Sequence, residues 1–145
     1  MRRLLVTLVL LCGLFSPAFA EQESVVLVVR ADSSVADLDS LAVRKLFLGL
    51  PVFVGGNPLH AVRNRSDERL DEIFLQQIVG MSQSAYDRQA LIGLNRQGWI
   101  RPPEVSSAAR VLQSLYDDPN AVSFMWSRDV AHNPRVRVIR VLWSD

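Results

Sequence analysis

The run Val25-Val26-Leu27-Val28-Val29 constrains the fold of this chain more than any other stretch. It is a continuous apolar segment, mostly β-branched, with no polar residue interrupting it. β-branched side chains favour strands, and an uninterrupted apolar strand is typical of the centre of a sheet, covered on both faces. The rest of the chain must therefore supply a layer for each face of this strand.

Strand and helix patterns alternate along the remaining sequence. Further strands are predicted at 59–62, 121–126 and 136–143. Helices are predicted from Leu41 to about Leu48, from near Ser66 to Gly80, from Ser82 or Ser84 to about Arg96, and from Ser106 or Ser107 onward. Interleaved strands and helices predict the α/β class, with one sheet flanked by helices. The third helix is expected to bury Tyr86, Ala90, Leu91 and Leu94, and the fourth Ala109, Leu112 and Leu115.

The first twenty residues have the pattern of a secretory signal peptide. Arg2 and Arg3 give a basic start, an apolar run follows, and Ala18-Phe19-Ala20 resembles a cleavage site. We therefore expect cleavage before Glu21, a single exported domain over 21–145, and a periplasmic location. The apolar run is short for a membrane span.

The composition of the predicted mature chain excludes several functional classes. Removal of the signal takes away Cys12, so no disulfide is expected. Fourteen Lys and Arg face fifteen Asp and Glu, which argues against a nucleic-acid binder. His60 and His132 share no metal-ligand spacing, and no nucleophile motif or phosphate loop occurs, so neither a metal, a cofactor nor catalysis is expected.

The stretch from Pro58 to Phe74 is the candidate functional site. A short strand leads through a polar turn into a helix, and a helix N-terminus presents unpaired amides that favour anions. Arg63 and Arg65 precede Ser66, which is expected to cap the helix. These three residues are the predicted ligands of a small oxyanion. The alternative is that Ser66 only caps the helix and each arginine pairs on the surface with a nearby acid, Asp67, Glu68 or Asp71. This alternative is favoured because Asp67 and Glu68 already complement the helix dipole.

The order of these motifs resembles that of phosphate-type substrate-binding proteins of bacterial ABC transporters. The shared features are the first strand, the Leu-x-x-x-x-x-Phe-Leu-Gly helix at 41–49, Gly56-Asn57-Pro58, the turn and helix at 63–74, Pro102-Pro103-x-Val and the run at 118–125. The resemblance covers Ser24 to about Trp143. Members of that family have two lobes, and this sequence is too short for two. The resemblance therefore implies a single-lobe relative with a periplasmic-binding-protein-like fold.

The resemblance implies two functions. The first is a non-enzymatic domain that binds phosphate or another small oxyanion weakly at Arg63, Arg65 and Ser66. Only the Arg and the Ser of the family's phosphate turn carry over, and Asp67 and Glu68 replace a Gly and a Thr. The second is therefore a ligand-free module that docks on a membrane sensor or transporter subunit. The sequence indicates no oligomeric state.

Overall fold

The computed structural model describes residues 22–145, so the predicted signal peptide at 1–20 lies outside the described residues. The strands are β1 Ser24–Arg30, β2 Phe53–Val54, β3 Asn57–Pro58, β4 His60–Ala61, β5 Arg63–Asn64, β6 Glu104–Val105, β7 Ala121–Trp126 and β8 Val136–Ser144. The helices are α1 Ser40–Phe47, α2 Glu68–Ile73, α3 Gln83–Gln97, α4 Ala108–Asp117 and α5 Ser127–Val130. A π-helix, Phe74–Val79, continues α2 without a break. Within the described residues no helix is both long and apolar enough to cross a bilayer.

The main sheet has the order β4-β7-β1-β8. β1 pairs antiparallel with both of its neighbours, whereas β4 runs parallel to β7. β1 is buried on both faces, as its apolar run predicts: Val25, Leu27 and Val29 face one cluster, and Val26 and Val28 face another. The first cluster includes Phe47, Phe74 and Phe124, and the second includes Val111 and Leu115 of α4. The predicted α/β class, a sheet flanked by helices, is confirmed.

The predicted cap of the second helix is wrong by one residue. Asp67, not Ser66, is the N-cap, and its carboxylate accepts from the amide of Leu70 at 2.7 Å. Its second oxygen accepts from the indole Nε1 of Trp126, which fixes the side chain in the capping position. The amide of Ser66 instead donates to Asn64 Oδ1 at 2.9 Å, inside the turn.

Two helix faces also differ from the prediction. α3 buries Tyr86, Ala90 and Gly93, while Leu91 and Leu94 are exposed. The ring of Trp99 packs directly against Gly93, which has no side chain and so leaves room for the ring. α4 buries Val111 and Leu115, whereas Ala109 is exposed.

Candidate functional site

Backbone pairing between distant segments places Arg63 inside the protein. The amide of Arg63 donates to the carbonyl of Pro103 at 2.9 Å, and β5 runs parallel to β6. On the other side, Asn64 Nδ2 donates to the carbonyl of Phe124 in β7 at 2.9 Å. Strand β5 is thus held between β6 and β7, and the first arginine of the predicted site is a core position.

The guanidinium of Arg63 is fully buried, and both of its terminal nitrogens donate to protein side chains. Its Nη2 donates to Asp71 and to Gln83 Oε1, both at 2.7 Å, and its Nη1 donates to Glu104 at 3.1 Å. It lies 4.4 Å from the ring centroid of Phe74 and 4.8 Å from that of Tyr86. Only its Nε is buried without a hydrogen-bond partner among residues 22–145.

Arg65 binds the same two carboxylates from the solvent side. Its Nη1 donates to Glu104 Oε2 at 3.0 Å, and its Nη2 lies 3.3 Å from Asp71 Oδ2. The Arg65 side chain is 39% exposed. The structure therefore brings Arg63 and Arg65 together, as the sequence predicts, but onto the protein's own acids. Of the acids named in the alternative interpretation, Asp71 is an observed partner, whereas Asp67 caps its helix.

Arg101 and Glu104 complete the cluster and were not predicted. Arg101 Nη2 donates to Glu104 Oε1 at 2.8 Å and to Asp87 at 2.7 Å. We call Arg63, Arg65, Arg101, Asp71, Asp87 and Glu104 the arginine cluster. Its three guanidinium groups and three carboxylates balance in charge. The signal that could have identified Glu104 is its place directly after Pro102-Pro103 and three residues after Arg101.

The electrostatics of the cluster favour an ionised Glu104. Burial by itself raises the pKa of this carboxyl, but hydrogen bonds from Arg101 and Arg65 and the charge of Arg63 outweigh burial and lower the pKa below its ordinary value. The same hydrogen bonds to Glu104 raise the pKa values of Arg65 and Arg101. Burial raises the pKa of Tyr86, beside the cluster, to about 12.

No group of three or more His, Cys, Asp and Glu within residues 22–145 is arranged to hold a metal ion. His60 Nδ1 lies 2.6 Å from Asp118 Oδ2, in a two-residue contact on the surface. This pair joins the start of β4 to the turn before β7, so it is a structural contact between the ends of two strands.

An apolar groove of 590 Å³ lies beside the cluster, at the edge of β4. Leu50, Pro51, Trp99, Ile100 and Pro102 are among the residues that form its walls. Ile100 is 77% exposed, the largest exposed fraction among the exposed large apolar residues of the described part.

The floor of the apolar groove includes a backbone position with no partner strand. Along the free edge of β4, the amide of Leu59 donates to the carbonyl of Val52, and that of Arg63 to the carbonyl of Pro103. Ala61, between them, lines the groove; because the amides of His60 and Val62 donate to β7 and the residue before it, the amide of Ala61 points away from β7. The groove thus combines apolar walls with one strand-edge amide.

Comparison with known proteins identifies the fold. No protein-family model and no curated protein matches the chain. Among solved structures, it is similar to a phosphate ABC transporter substrate-binding protein with bound phosphate from Clostridium perfringens, with a TM-score of 0.61 and 14% identity. It is also similar to PstS from Borrelia burgdorferi (TM-score 0.59, 11% identity) and to an ABC-type phosphate transport receptor from Vibrio cholerae (0.51, 18%).

These matches cover 81–82% of this chain but only 45–47% of the solved chains. The chain therefore spans less than half the length of the proteins that it resembles. At such low identity the likeness establishes the fold and no more. Together with the sheet and its flanking helices, it confirms the predicted fold: the chain has a periplasmic-binding-protein-like fold, similar to somewhat less than half of these solved phosphate-transport proteins.

Proposed function

We propose that this protein is an exported, non-enzymatic module of the periplasm that acts by docking on a membrane transporter or sensor subunit and does not carry a free solute. The observation that carries this proposal is that Arg63 and Arg65 are both bound to Asp71 and Glu104. A phosphate at this position would have to displace carboxylates that already make charge-assisted hydrogen bonds.

Charge balance supports the same conclusion. A cluster of three guanidinium groups and three carboxylates offers an incoming anion no net attraction, and the two acids at the arginines would repel it. Of the three predicted ligands Arg63 is fully buried, so a solute could reach only Arg65 and the half-buried Ser66 among them without rearranging the core. Oxyanion binding at Arg63, Arg65 and Ser66 stays a prediction, and titration decides between it and docking.

The apolar groove is the proposed docking surface. Exposed apolar patches bordered by polar residues are typical of protein–protein contacts. The amide of Ala61 offers one backbone hydrogen bond to an extended segment whose apolar side chain fills the groove, whereas the neighbouring edge amides of Leu59 and Arg63 already have partners. The similar proteins from Clostridium perfringens and Vibrio cholerae are ABC-type phosphate transport proteins, which supports a membrane transport subunit as the partner.

Calorimetry and site-specific crosslinking together test the proposal. Titration of residues 21–145 with phosphate, sulfate and acetate at millimolar concentration is expected to give no saturable heat. Saturable phosphate binding that disappears in Arg65→Ala would refute docking without a solute and restore the oxyanion hypothesis.

For the docking surface, a photo-crosslinking amino acid replaces Ile100 in the full-length protein in its native cells. The matched control carries it at Val141, an exposed apolar residue of β8, 59% exposed. We expect a discrete adduct with an integral membrane protein from position 100 and none from position 141. Equal labelling at both positions, or no adduct, would contradict docking through the groove.

A further inference from the structure

Glu104 occupies the position of a ligand within the arginine cluster. Its Oε1 accepts from Arg63 at 3.1 Å and from Arg101 at 2.8 Å, and its Oε2 accepts from Arg65 at 3.0 Å. Arg63 and Arg65 come from β5 and the turn that follows it, Arg101 comes from the loop before β6, and all three converge on this one carboxylate. Guanidinium groups directed at both oxygens of a carboxylate are the arrangement by which proteins recognise carboxylate anions.

The arginines are held in place by supports that do not involve Glu104. Arg63 is bonded to Asp71 and Gln83 and packs on the rings of Phe74 and Tyr86. Arg65 also contacts Asp71, and Arg101 is bonded to Asp87 and lies 5.4 Å from the Tyr86 ring centroid. Removing the Glu104 carboxylate therefore leaves three positioned guanidinium groups.

The charges of the supporting residues determine the net charge of the cluster when the Glu104 carboxylate is removed. Three arginines face two supporting carboxylates, Asp71 and Asp87, so one positive charge remains. One monoanion balances it. The position is open to solvent, because the side chains of Arg65 and Arg101 are each 39% exposed and that of Glu104 is 28% exposed. A small ion can reach it from the surface.

We propose that Glu104 is the built-in ligand of a monoanion site, and that the site binds a free small carboxylate once the Glu104 carboxylate is removed. This inference rests on the proposed function, in which the wild-type protein binds no free anion because its own carboxylates occupy the arginines. The backbone of Glu104 is fixed by Pro102-Pro103 and by the pairing of β6 with β5, so its side chain is delivered to the arginines whenever the domain folds.

The test compares Glu104→Ala with the wild type over a series of sodium formate, acetate and chloride at matched ionic strength. Glu104→Ala is expected to have a lower Tm than the wild type, and to recover it in a saturable way with formate or acetate but not with chloride. By calorimetry its affinity for acetate is expected to exceed that of the wild type by at least about tenfold, because charge-assisted hydrogen bonds are re-formed. Phosphate forms a second arm that distinguishes a carboxylate site from a general oxyanion site.

Two variants serve as controls. Glu104→Gln keeps the shape of the side chain and fills the space, so it is expected to lose stability without recovering it in acetate. Glu72→Ala removes an exposed acid of α2 that is outside the cluster, and is expected to behave as the wild type. If Glu104→Ala does not fold in chloride, refolding in formate replaces the melting series, and folding in formate alone supports the proposal.

The inference would be overturned by a folded Glu104→Ala variant that binds formate and acetate no more tightly than the wild type does. It would also be overturned if the variant folded in neither chloride nor formate. Neither result bears on docking through the apolar groove. Conversely, phosphate binding by the wild type refutes the closed site of the proposed function, whatever Glu104→Ala does. The two failures are therefore distinguishable.

Discussion

Replacing Arg63 with methionine separates a structural arginine from a ligand-binding one. The change removes three hydrogen bonds to Asp71, Gln83 and Glu104 and two ring contacts from a fully buried side chain. Each hydrogen bond to a charged group contributes about 1.5–3 kcal/mol when its partner is left unpaired. The full sum overstates the loss, because Asp71 and Glu104 keep Arg65 and remain partly exposed, and because methionine regains apolar contact. We expect a loss of about 2–4 kcal/mol in the free energy of unfolding.

Arg65→Met is the matched control, since it removes an arginine from the same two carboxylates at the surface. An ion pair with a 39% exposed partner contributes about 0–1 kcal/mol. Urea unfolding followed by circular dichroism gives both values, with equal m-values required for the comparison. In thermal melts each kcal/mol corresponds to about 3–5 °C for a domain of this size.

A loss below about 1 kcal/mol for Arg63→Met, equal to that of the control, would refute the reasoning. It would mean that the contacts of Arg63 contribute no net stability. A buried arginine that contributes no net stability would instead fit the oxyanion hypothesis, because binding residues are often neutral or unfavourable for stability.

Three further predictions follow from the same contacts. Gly93→Ala is expected to destabilise by about 1–3 kcal/mol in urea unfolding, although alanine favours helices, because the new Cβ would lie 2.2 Å from the ring of Trp99; a neutral or stabilising result would contradict this packing. Tyr86→Phe is expected to lose about 1–2 kcal/mol, because the hydroxyl donates to the buried carbonyl of Phe47 at 2.7 Å, and ultraviolet titration should show no ionisation of Tyr86 below about pH 11. Because folding lowers the pKa of Glu104, ionised Glu104 stabilises the fold at a pH above its ordinary pKa of 4.5, and this stabilisation is lost as the pH falls through the pKa of the folded state. The urea midpoint should therefore fall less steeply between pH 5 and pH 3 in Glu104→Gln than in the wild type.

The long strands were predictable because their signals are local, whereas the two-residue strands β2, β3, β5 and β6 were not predicted. The run of β1 and the apolar segment of β7 are buried along their length, which is what uninterrupted apolar residues indicate. The ends of the helices were largely predictable for the same reason: Asp39 and Ser82 cap α1 and α3, and Gly80 ends the π-helix in the left-handed conformation. Each of these signals lies within a few residues of its effect.

The buried face of α3 was not predictable from its own residues. Leucine is the more hydrophobic choice at Leu91 and Leu94, yet the helix turns Ala90 and Gly93 inward. The cause is Trp99, which returns after the helix and requires a glycine beneath its ring. The ion partners of the site escaped prediction for a similar reason. Glu104 is some forty positions from Arg63 and reaches it only through the pairing of β5 with β6.

The attachment of Glu104 to the same surface as the arginines gives a physical reason why it competes well with a free anion. A protein of two lobes can enclose an anion and exclude the water that competes for it, whereas a single wall leaves a bound ion hydrated and screened by salt. A carboxylate attached to the same wall has an effective concentration in the millimolar range or above, higher still when its backbone is fixed as that of Glu104 is. A free anion at millimolar concentration therefore has no advantage over it. Arg63 joins β5 to α2 and α3 through Asp71 and Gln83, and Glu104 supplies a third acceptor that a free anion would have to displace.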